Sequence, residues 1–295
     1  MWSGPRTLST ALMRSFGNRR DTVVVDEPLY GYYLARTGLD HPGRDEVIAS
    51  MPTDWREVIE RLVRGPIPAD PGPATPASAP PTPPALPVTP AAIFYQKHMT
   101  HHLLPEVDRE LLAGLRHAYL IREPRLLLAS YARVRQAPTL ADLGLEQQVE
   151  IFRRFGGPVI DAADLAARPR QTLAALCAAL EIPFDEAMLA WPTGPRPTDG
   201  VWGKYWYARV WASTGFTPPR EPTPPREPPP PRAAPTAPPT LTTVTPATSG
   251  APAPPGAPTS AADPGTAALP AELETLADRC RPFYTELSAN GLATD

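Results

Sequence analysis

The spacing of apolar residues divides the amino-terminal part of the chain into one helix and one strand. Apolar residues recur at helical intervals from Leu8 to Phe16, and Gly17 follows them, which predicts a helix over residues 9–18. The next segment, DTVVVDEPLY (21–30), contains a continuous run of valines. Such a run is typical of a parallel strand that is buried on both faces, because it lacks the alternation of a half-exposed strand.

The alternation of helix and strand continues along the chain. The segment DWREVIERLV (54–63) is predicted to be an amphipathic helix, and AAIFYQKHM (91–99) a second buried strand. LRHAYLIREPRLLLASYARV (115–134) joins an apolar strand to a helix, with Pro124 in the first helical turn, where its missing N–H costs nothing. Three further segments are a helix (144–155), a short strand (158–165) with Asp161 near its end, and a helix (170–182). This order predicts a three-layer α/β fold, in which helices cover both faces of a central parallel sheet.

Two proline-rich stretches interrupt this pattern, at 66–92 and 218–270. They hold most of the 44 prolines and almost no aromatic or large aliphatic residues. Because such sequences cannot bury enough apolar surface to offset the entropy of ordering, both are expected to be disordered or polyproline-like. The predicted organisation is an α/β domain over 1–217 with a disordered insertion at 66–92, a disordered linker over 218–268, and an amphipathic helix over 269–292 that docks on the domain.

Charge and cysteine content narrow the functional classes. The net charge is −3 and the longer proline-rich stretch is itself balanced, which argues against a nucleic-acid or anionic-membrane partner. No apolar run approaches membrane-spanning length, and no signal peptide is recognisable. Cys177 and Cys280 are expected to be reduced, buried thiols, and the histidines form no convincing ligand set, so no metal is expected. The sequence therefore favours a cytoplasmic protein and leaves the oligomeric state open.

The loop PRTLST (5–10) has the properties of an anion-binding site. It carries hydroxyls and one guanidinium, and it precedes a helix, whose first amides and partial positive charge attract anions. The Walker A pattern G-x-x-x-x-G-K-[ST] is absent, so this is not the usual loop of a nucleoside triphosphatase. An ordinary helix capped by Ser or Thr is the alternative interpretation of these residues taken alone.

The position of this loop in the chain is unusual, because a phosphate-binding loop normally follows a strand and no apolar run precedes this one. The first strand is therefore expected to be missing and a central position of the sheet to be vacant. Either Met1 is not the true start and an apolar strand lies upstream, or the chain is truncated. The first explanation is favoured because nothing else in the sequence looks degraded.

A second candidate anion site lies where strand and helix join in the segment 115–134. Arg122 closes the apolar strand, at the edge where open α/β sheets place their ligands. Ser130 follows eight residues later, about two turns into the helix. A guanidinium and a hydroxyl at this junction are suited to a second phosphate, and pairing of Arg122 with Glu123 is the alternative.

The two motifs together, PRTLST and LIREPRLLLASY, resemble the nucleotide motifs of sulfotransferases that use 3′-phosphoadenosine 5′-phosphosulfate (PAPS). The first motif usually reads P-[KR]-[ST]-G-[ST]-[ST], so Leu8 replaces a glycine. The resemblance covers 1–65 and about 93–218, more weakly the last helix, and implies a P-loop NTPase-like fold. It implies that the 5′-phosphosulfate is held by Arg6, Thr7, Ser9 and Thr10. It also implies that Arg122 and Ser130 hold the 3′-phosphate, and that the product nucleotide is 3′-phosphoadenosine 5′-phosphate (PAP).

Sulfuryl transfer also needs a base for the acceptor hydroxyl, and two residues are the main candidates. Glu27 ends the second apolar segment, in a region where some sulfotransferases place a catalytic glutamate. His98 follows Lys97, a cationic candidate for the transferring group, and resembles the histidine of the Lys-x-His pattern in cytosolic sulfotransferases. Here the two residues are adjacent, and a shift of one residue turns a strand side chain to the other face. His101 and His102 are further candidates.

The segment RPTDGVWGKYWYARVWASTGF (196–216) is rich in tryptophan and is expected to form a lid whose aromatic faces contact nucleotide or acceptor. Lys204 within it is a further candidate nucleotide contact. The sequence thus favours a PAPS-dependent sulfotransferase that acts on a hydroxyl of a small-molecule acceptor. The alternatives are a P-loop-like kinase or phosphotransferase, and a catalytically inactive nucleotide-binding or scaffold protein.

Overall fold

Five parallel strands form a single sheet at the centre of the structure. The computed structural model describes residues 1–67, 93–135, 137–216 and 269–293. The strands are β1 (Trp2–Ser3), β2 (Thr22–Asp26), β3 (Ile93–Met99), β4 (Tyr119–Ile121) and β5 (Val159–Asp161). They lie in the order β2-β3-β1-β4-β5, and all neighbours are parallel. Hydrophobic cores lie on both faces of the sheet beneath flanking helices, so the predicted three-layer α/β fold is confirmed.

The helices of the described residues connect these strands and follow them. They are α1 (Ser9–Phe16), α2 (Tyr30–Thr37), α3 (Arg44–Ser50), α4 (Trp55–Arg64), α5 (Pro124–Tyr131), α6 (Leu140–Leu143), α7 (Leu145–Phe155), α8 (Ala162–Ala167), α9 (Pro169–Ala179), α10 (Gly203–Trp206), α11 (Ala208–Trp211) and α12 (Ala271–Ser288). Three short 3-10 turns lie at Thr100–His102, Arg109–Leu112 and Glu186–Leu189. Helices α2 and α3 follow β2 in a region where the apolar pattern predicts no element.

The first strand is short but present, so the expectation of a vacant central position is wrong. Trp2–Ser3 lies between β3 and β4 and pairs with both. The backbone N–H of Trp2 donates to the carbonyl of Ala118 at 2.8 Å, and the N–H of His98 donates to the carbonyl of Met1 at 2.9 Å. A strand of two residues is too short to leave an apolar run that a sequence pattern can detect. The anion loop therefore does follow a central strand.

Successive side chains of β3 point to opposite faces of the sheet, and this alternation separates two candidate site residues. Tyr95 stacks on Phe16 of α1, with ring centroids 4.4 Å apart. His98 stacks on Trp2, with ring centroids 4.3 Å apart, on the opposite face. Lys97 therefore shares the α1 face with Tyr95, whereas His98 lies on the other side.

Helix α12 packs against α5, α7 and β5. It buries Leu276, Cys280 and Leu287, and the Tyr284 hydroxyl donates to the carboxylate of Asp161 at 2.8 Å. The predicted disordered insertion and linker lie almost entirely outside the described residues, so the predicted domain boundaries remain predictions.

Two further observations concern only the described ranges. Cys177 and Cys280 are both free and buried. No helix there is long and apolar enough to cross a membrane, and no group of three or more His, Cys, Asp or Glu side chains is arranged to hold a metal ion.

Candidate active site

The loop before α1 follows a left-handed backbone path at two residues that are not glycine. Arg6 has φ 60° and Leu8 has φ 67°. The Thr7 hydroxyl donates to the carbonyl of Gly4 at 2.9 Å and holds the turn together. Turns of this kind direct successive N–H groups into an anion-binding concavity. Leu8, which replaces the glycine of the motif, thus adopts the conformation that glycine favours.

No side chain caps α1, so its first amides remain available to an anion. Ser9 is buried and Thr10 is half-buried at this end of the helix.

The two predicted anion motifs meet in one cleft. Arg6 Nε donates to Ser130 Oγ at 3.1 Å, and Arg122 Nη1 donates to the backbone carbonyl of Arg6 at 2.7 Å. Arg122 does not pair with Glu123, whose carboxylate instead accepts the N–H of Leu126 at 2.9 Å and caps α5. Both guanidinium groups therefore keep donors for a ligand.

Arg6 and Arg122 lie within electrostatic reach of each other and of Arg209, and Arg6 also lies within reach of Arg133. We call this group the arginine cleft (Arg6, Arg122, Arg133 and Arg209). Burial lowers the pKa of Arg6, and the charges of Arg209 and Arg133 lower it further. Burial also lowers the pKa of Arg122, with added contributions from Arg6 and Arg209. None of the four forms an ion pair with an acid in the described part of the chain. Clustered positive charge without a directly paired acid favours a multiply charged anion.

Sequence reasoning did not identify Arg133 and Arg209, because only the fold brings them to the cleft. Arg209 lies on α11, within the tryptophan-rich segment, and Arg133 follows α5. The available signal was the absence of an acidic neighbour around Arg209 in the sequence YARVW.

Glu27 follows β2 directly, in a left-handed conformation with φ 42°. Its N–H donates to the carbonyl of Lys97 at 2.9 Å, and its Oε1 accepts a hydrogen bond from Lys97 Nζ at 2.6 Å. The other oxygen, Oε2, has no hydrogen-bond partner among the described residues, and the side chain is 11% exposed. A strained backbone at a strand end, together with one unengaged carboxylate oxygen, is typical of a functional acid or base.

Lys97 is a fixed counter-ion and has no hydrogen left for a ligand. Its Nζ donates to Asp26 Oδ1 at 2.8 Å, to Glu27 Oε1 at 2.6 Å and to the Tyr207 hydroxyl at 3.0 Å. These three acceptors use all three ammonium hydrogens, and the side chain is 1% exposed. The geometry therefore does not support the prediction that Lys97 contacts the transferring group; its contacts fix the carboxylate of Glu27.

Asp26 and Tyr207 complete this buried cluster, which we call the carboxyl cluster (Asp26, Glu27, Lys97 and Tyr207). Tyr207 donates to Asp26 Oδ2 at 2.6 Å. Burial raises the pKa of Asp26 to about 6, against the opposing charge of Lys97. Burial lowers the pKa of Lys97, but the two carboxylates outweigh it and hold that pKa above its usual value. Sequence reasoning missed Asp26, although an acid directly before Glu27 at a strand end was a usable signal.

His98 lies away from the carboxyl cluster. Its Nε2 hydrogen-bonds Gln96 Oε1 at 3.1 Å on the Trp2 face of the sheet, and burial holds its pKa well below the usual value. His101 and His102 are buried beside the rings of α2, and burial lowers the pKa of His101 to about 3. None of the three histidines makes a hydrogen bond to the described residues of the carboxyl cluster.

Two ion pairs join the tryptophan-rich segment to neighbouring helices. Asp199 forms a buried ion pair with Arg14 of α1 at 2.5 Å. Lys204 forms an exposed ion pair with Glu46 of α3 at 2.6 Å, so it faces α3 and does not contribute to the arginine cleft. Tyr207 and Arg209 follow these two ion pairs in the same segment.

Comparison with known proteins identifies the family of the chain. A family profile described as sulfotransferase domain matches residues 1–68 and 77–228. Two proteins of Arabidopsis thaliana, "Branched-chain-amino-acid aminotransferase-like protein 1" and "protein 2", are 39% and 36% identical to the chain over 225 residues. Each match covers 75% of this chain and 36% of the relative, so the chain spans about a third of the length of these curated relatives.

Two solved structures are similar in fold. The sulfotransferase domain from the curacin biosynthetic pathway has a TM-score of 0.41 at 16% identity, and the match covers 68% of this chain and 79% of that one. The sulfotransferase domain from the Synechococcus PCC 7002 olefin synthase has a TM-score of 0.39 at 18% identity, covering 69% and 80%. Since the family profile matches well over half of the present chain, this chain belongs to the sulfotransferase domain family.

Proposed function

We propose that the protein transfers a sulfuryl group from PAPS to a hydroxyl group of a small-molecule acceptor. The observation that carries this proposal is the arginine cleft, whose arginines form no ion pair with an acid among the described residues, together with a strand-end carboxylate, Glu27, that has one unengaged oxygen. Tyr131 lies within electrostatic range of Arg6 and of Glu27, which places the two groups in the same part of the molecule. Beyond the family membership, the proposal specifies PAPS as the donor and a small-molecule hydroxyl as the acceptor.

The residues of the arginine cleft fit the donor. Arg6, Thr7, Ser9 and Thr10 would hold the 5′-phosphosulfate at the amino terminus of α1. Arg122 and Ser130 would hold the 3′-phosphate, and Arg209 adds a positive charge that acts on Arg122. PAPS, when bound, supplies the sulfuryl group and a phosphate leaving group. The absence of an ion-paired acid among the described residues supports the proposal, since such a site gains most from a ligand that brings several negative charges.

Glu27 is the proposed base. Its Oε1 is held by Lys97, so Oε2 is directed to the acceptor and takes the proton of the acceptor hydroxyl. Arg6 uses Nε on Ser130 and keeps its remaining N–H groups for charge that develops on the transferring oxygens. The protein also contributes to catalysis by placing the acceptor hydroxyl in line with the bond between sulfur and the leaving phosphate oxygen. His98 is not proposed as the base, because it lies on the other face of the sheet.

Calorimetric titration with PAP and with ATP–Mg²⁺, followed by transfer assays with labelled PAPS and a panel of alcohols and phenols, tests the proposal. We expect PAP to bind more tightly than ATP, without a metal requirement, and label to appear on a hydroxyl acceptor. Tighter, Mg²⁺-dependent ATP binding would favour a kinase-like function instead. PAP binding without transfer to any acceptor would favour a non-enzymatic nucleotide-binding protein.

A further inference from the structure

Tyr207 is the member of the carboxyl cluster that does not come from the sheet. It lies between the short helices α10 and α11 and reaches Lys97, which is 110 positions away in sequence. Its hydroxyl donates to Asp26 Oδ2 at 2.6 Å and lies 3.3 Å from Glu27 Oε1. The hydroxyl is buried and also accepts a hydrogen bond from Trp202 Nε1 at 3.1 Å. A phenol in contact with every charged member of the cluster is placed to control how they share charge.

We propose that Tyr207 is a positioning residue of sulfuryl transfer, which keeps Asp26 ionised as the partner of Lys97 and thereby leaves Glu27 free to act as the base. The inference rests on the proposed function. Tyr207 keeps its own proton throughout; the proton that moves passes from the acceptor hydroxyl to Glu27 Oε2.

The argument begins with the two oxygens of Asp26. Oδ1 accepts from Lys97 and Oδ2 accepts from Tyr207, so the carboxylate is fully hydrogen-bonded at a site where its side chain is 1% exposed. Hydrogen bonds to the charged form of an acid stabilise that form. Without the phenol, Oδ2 would be a buried carboxylate oxygen with no donor, and protonation would relieve it.

The consequence for Glu27 follows from the charge of Lys97. While Asp26 is ionised, the ammonium is shared between two carboxylates. Once Asp26 is neutral, Glu27 becomes the sole anionic partner of Lys97, and a carboxylate that faces an unshared ammonium is a weaker base. The loss of one hydrogen bond at Asp26 therefore lowers the basicity of a different residue.

Among the described residues, four titratable groups face Asp26 and influence its pKa. They are Lys97 and Tyr95 from β3, Glu27 from the turn after β2, and Tyr207. Burial raises the pKa of Asp26 to about 6, and the Lys97 charge and the hydrogen bonds of Lys97 and Tyr207 oppose that rise. Removal of the phenol raises this pKa further, so the acid limb of the activity profile should move to higher pH.

The test is the pH dependence of kcat in Tyr207→Phe. We expect kcat about tenfold below that of the unaltered protein near pH 6, with the difference narrowing to about twofold or less near pH 9. PAP affinity should be unchanged at both values, because the arginine cleft is intact. A uniform loss of kcat across the whole range would overturn the proposal, since it would indicate a role other than control of ionisation.

Tyr205→Phe is the matched control. Tyr205 lies in the same segment, and its replacement by Phe also removes a phenolic hydroxyl. That hydroxyl donates to Glu46 on α3 and makes no hydrogen bond to the described residues of the carboxyl cluster. Its pH profile should match that of the unaltered protein. The attachments of the segment at Asp199 and Lys204 remain in both variants.

Asp26→Asn supplies a second route if Tyr207→Phe folds poorly. It mimics the protonated carboxyl, so we expect low kcat at every pH, and little further loss when Tyr207→Phe is added. Additive effects of the two substitutions would overturn the coupling that we propose.

A readout without turnover separates this inference from the proposed function. In protein labelled with ¹³C at the aspartate carboxyl, the Asp26 signal should titrate at higher pH in Tyr207→Phe than in the unaltered chain. If no sulfuryl transfer is found but this shift is present, the proposed function fails and the control of Asp26 by Tyr207 stands. If transfer is found and the shift is absent, the inference alone fails.

Discussion

The Nε of Arg6 donates a hydrogen bond to Ser130 Oγ at 3.1 Å, although 124 positions separate them in the chain. This contact joins the loop before α1 to helix α5, and it makes one cleft of two motifs that the sequence presents separately. Arg122 closes the same cleft from the end of β4, through its hydrogen bond to the Arg6 carbonyl.

Arg6→Ala and Arg122→Ala should each weaken PAP binding by roughly 1.5–3 kcal/mol, because each removes a charge-assisted contact. Isothermal titration calorimetry measures the effect. Arg20→Ala is the control, since Arg20 is an exposed arginine beyond the end of α1 and should leave affinity unchanged. Unaltered affinity in both cleft variants would discard the assignment of the cleft to the nucleotide.

Glu27→Gln should reduce kcat on the order of 10²- to 10⁴-fold, the usual contribution of a positioned base, while PAP affinity stays nearly constant. The amide cannot accept the acceptor proton. His98→Ala should instead lower thermal stability, because it removes a buried ring that stacks on Trp2. The base assignment moves to His98 if that variant folds normally and loses turnover while Glu27→Gln does not.

Leu8 should tolerate glycine better than a β-branched residue, because its backbone lies at φ 67°. We expect Leu8→Gly to keep PAP affinity within about twofold, and Leu8→Val to lose stability by roughly 1 kcal/mol or more, with weaker PAP binding. Thermal unfolding and calorimetry on the two variants decide the point. Equal behaviour of valine and glycine here would show that the left-handed path is not needed for binding.

The buried ion pair between Arg14 and Asp199 should be far more important for stability than an exposed one. Both side chains are at most 4% exposed, so Asp199→Ala leaves an unpaired buried guanidinium and should cost about 3–5 kcal/mol. Arg153→Ala, which removes an exposed pair with Glu286, should change stability only slightly, because water and salt screen an exposed pair. If chemical denaturation showed similar losses of unfolding free energy in Asp199→Ala and Arg153→Ala, the Arg14–Asp199 pair would not be a main attachment of the tryptophan-rich segment.

Much of the sheet could be predicted because its strands are marked by apolar runs of the right length. β2 and β3 pair along five residues each, from Thr22 beside Ile93 to Asp26 beside Lys97, and both had clear valine- or aromatic-rich signals. β1 could not be predicted, since two residues form no pattern and its stability comes from the neighbours on either side.

The candidate site was only partly accessible to sequence reasoning, for a related reason. Motifs with fixed spacing, such as Arg122 and Ser130, lie on one strand-to-helix unit and could be recognised locally. Tyr207 and Arg209 reach the site only through the tertiary path of the chain, so no local spacing identifies them. The period of a strand did give a correct warning about His98, whose side chain faces away from that of its neighbour Lys97.

The division of positive charge in this molecule has a consequence for its response to acidity. All four cations of the cleft are guanidinium groups, a type of side chain that stays charged in proteins. Burial and neighbouring charges lower the pKa of Arg6 and Arg122 without removing that charge at neutral pH. The buried ammonium of Lys97 is committed to the carboxyl cluster. PAP affinity should therefore be level across neutral and alkaline solution, while the catalytic step alone follows the protonation of Asp26.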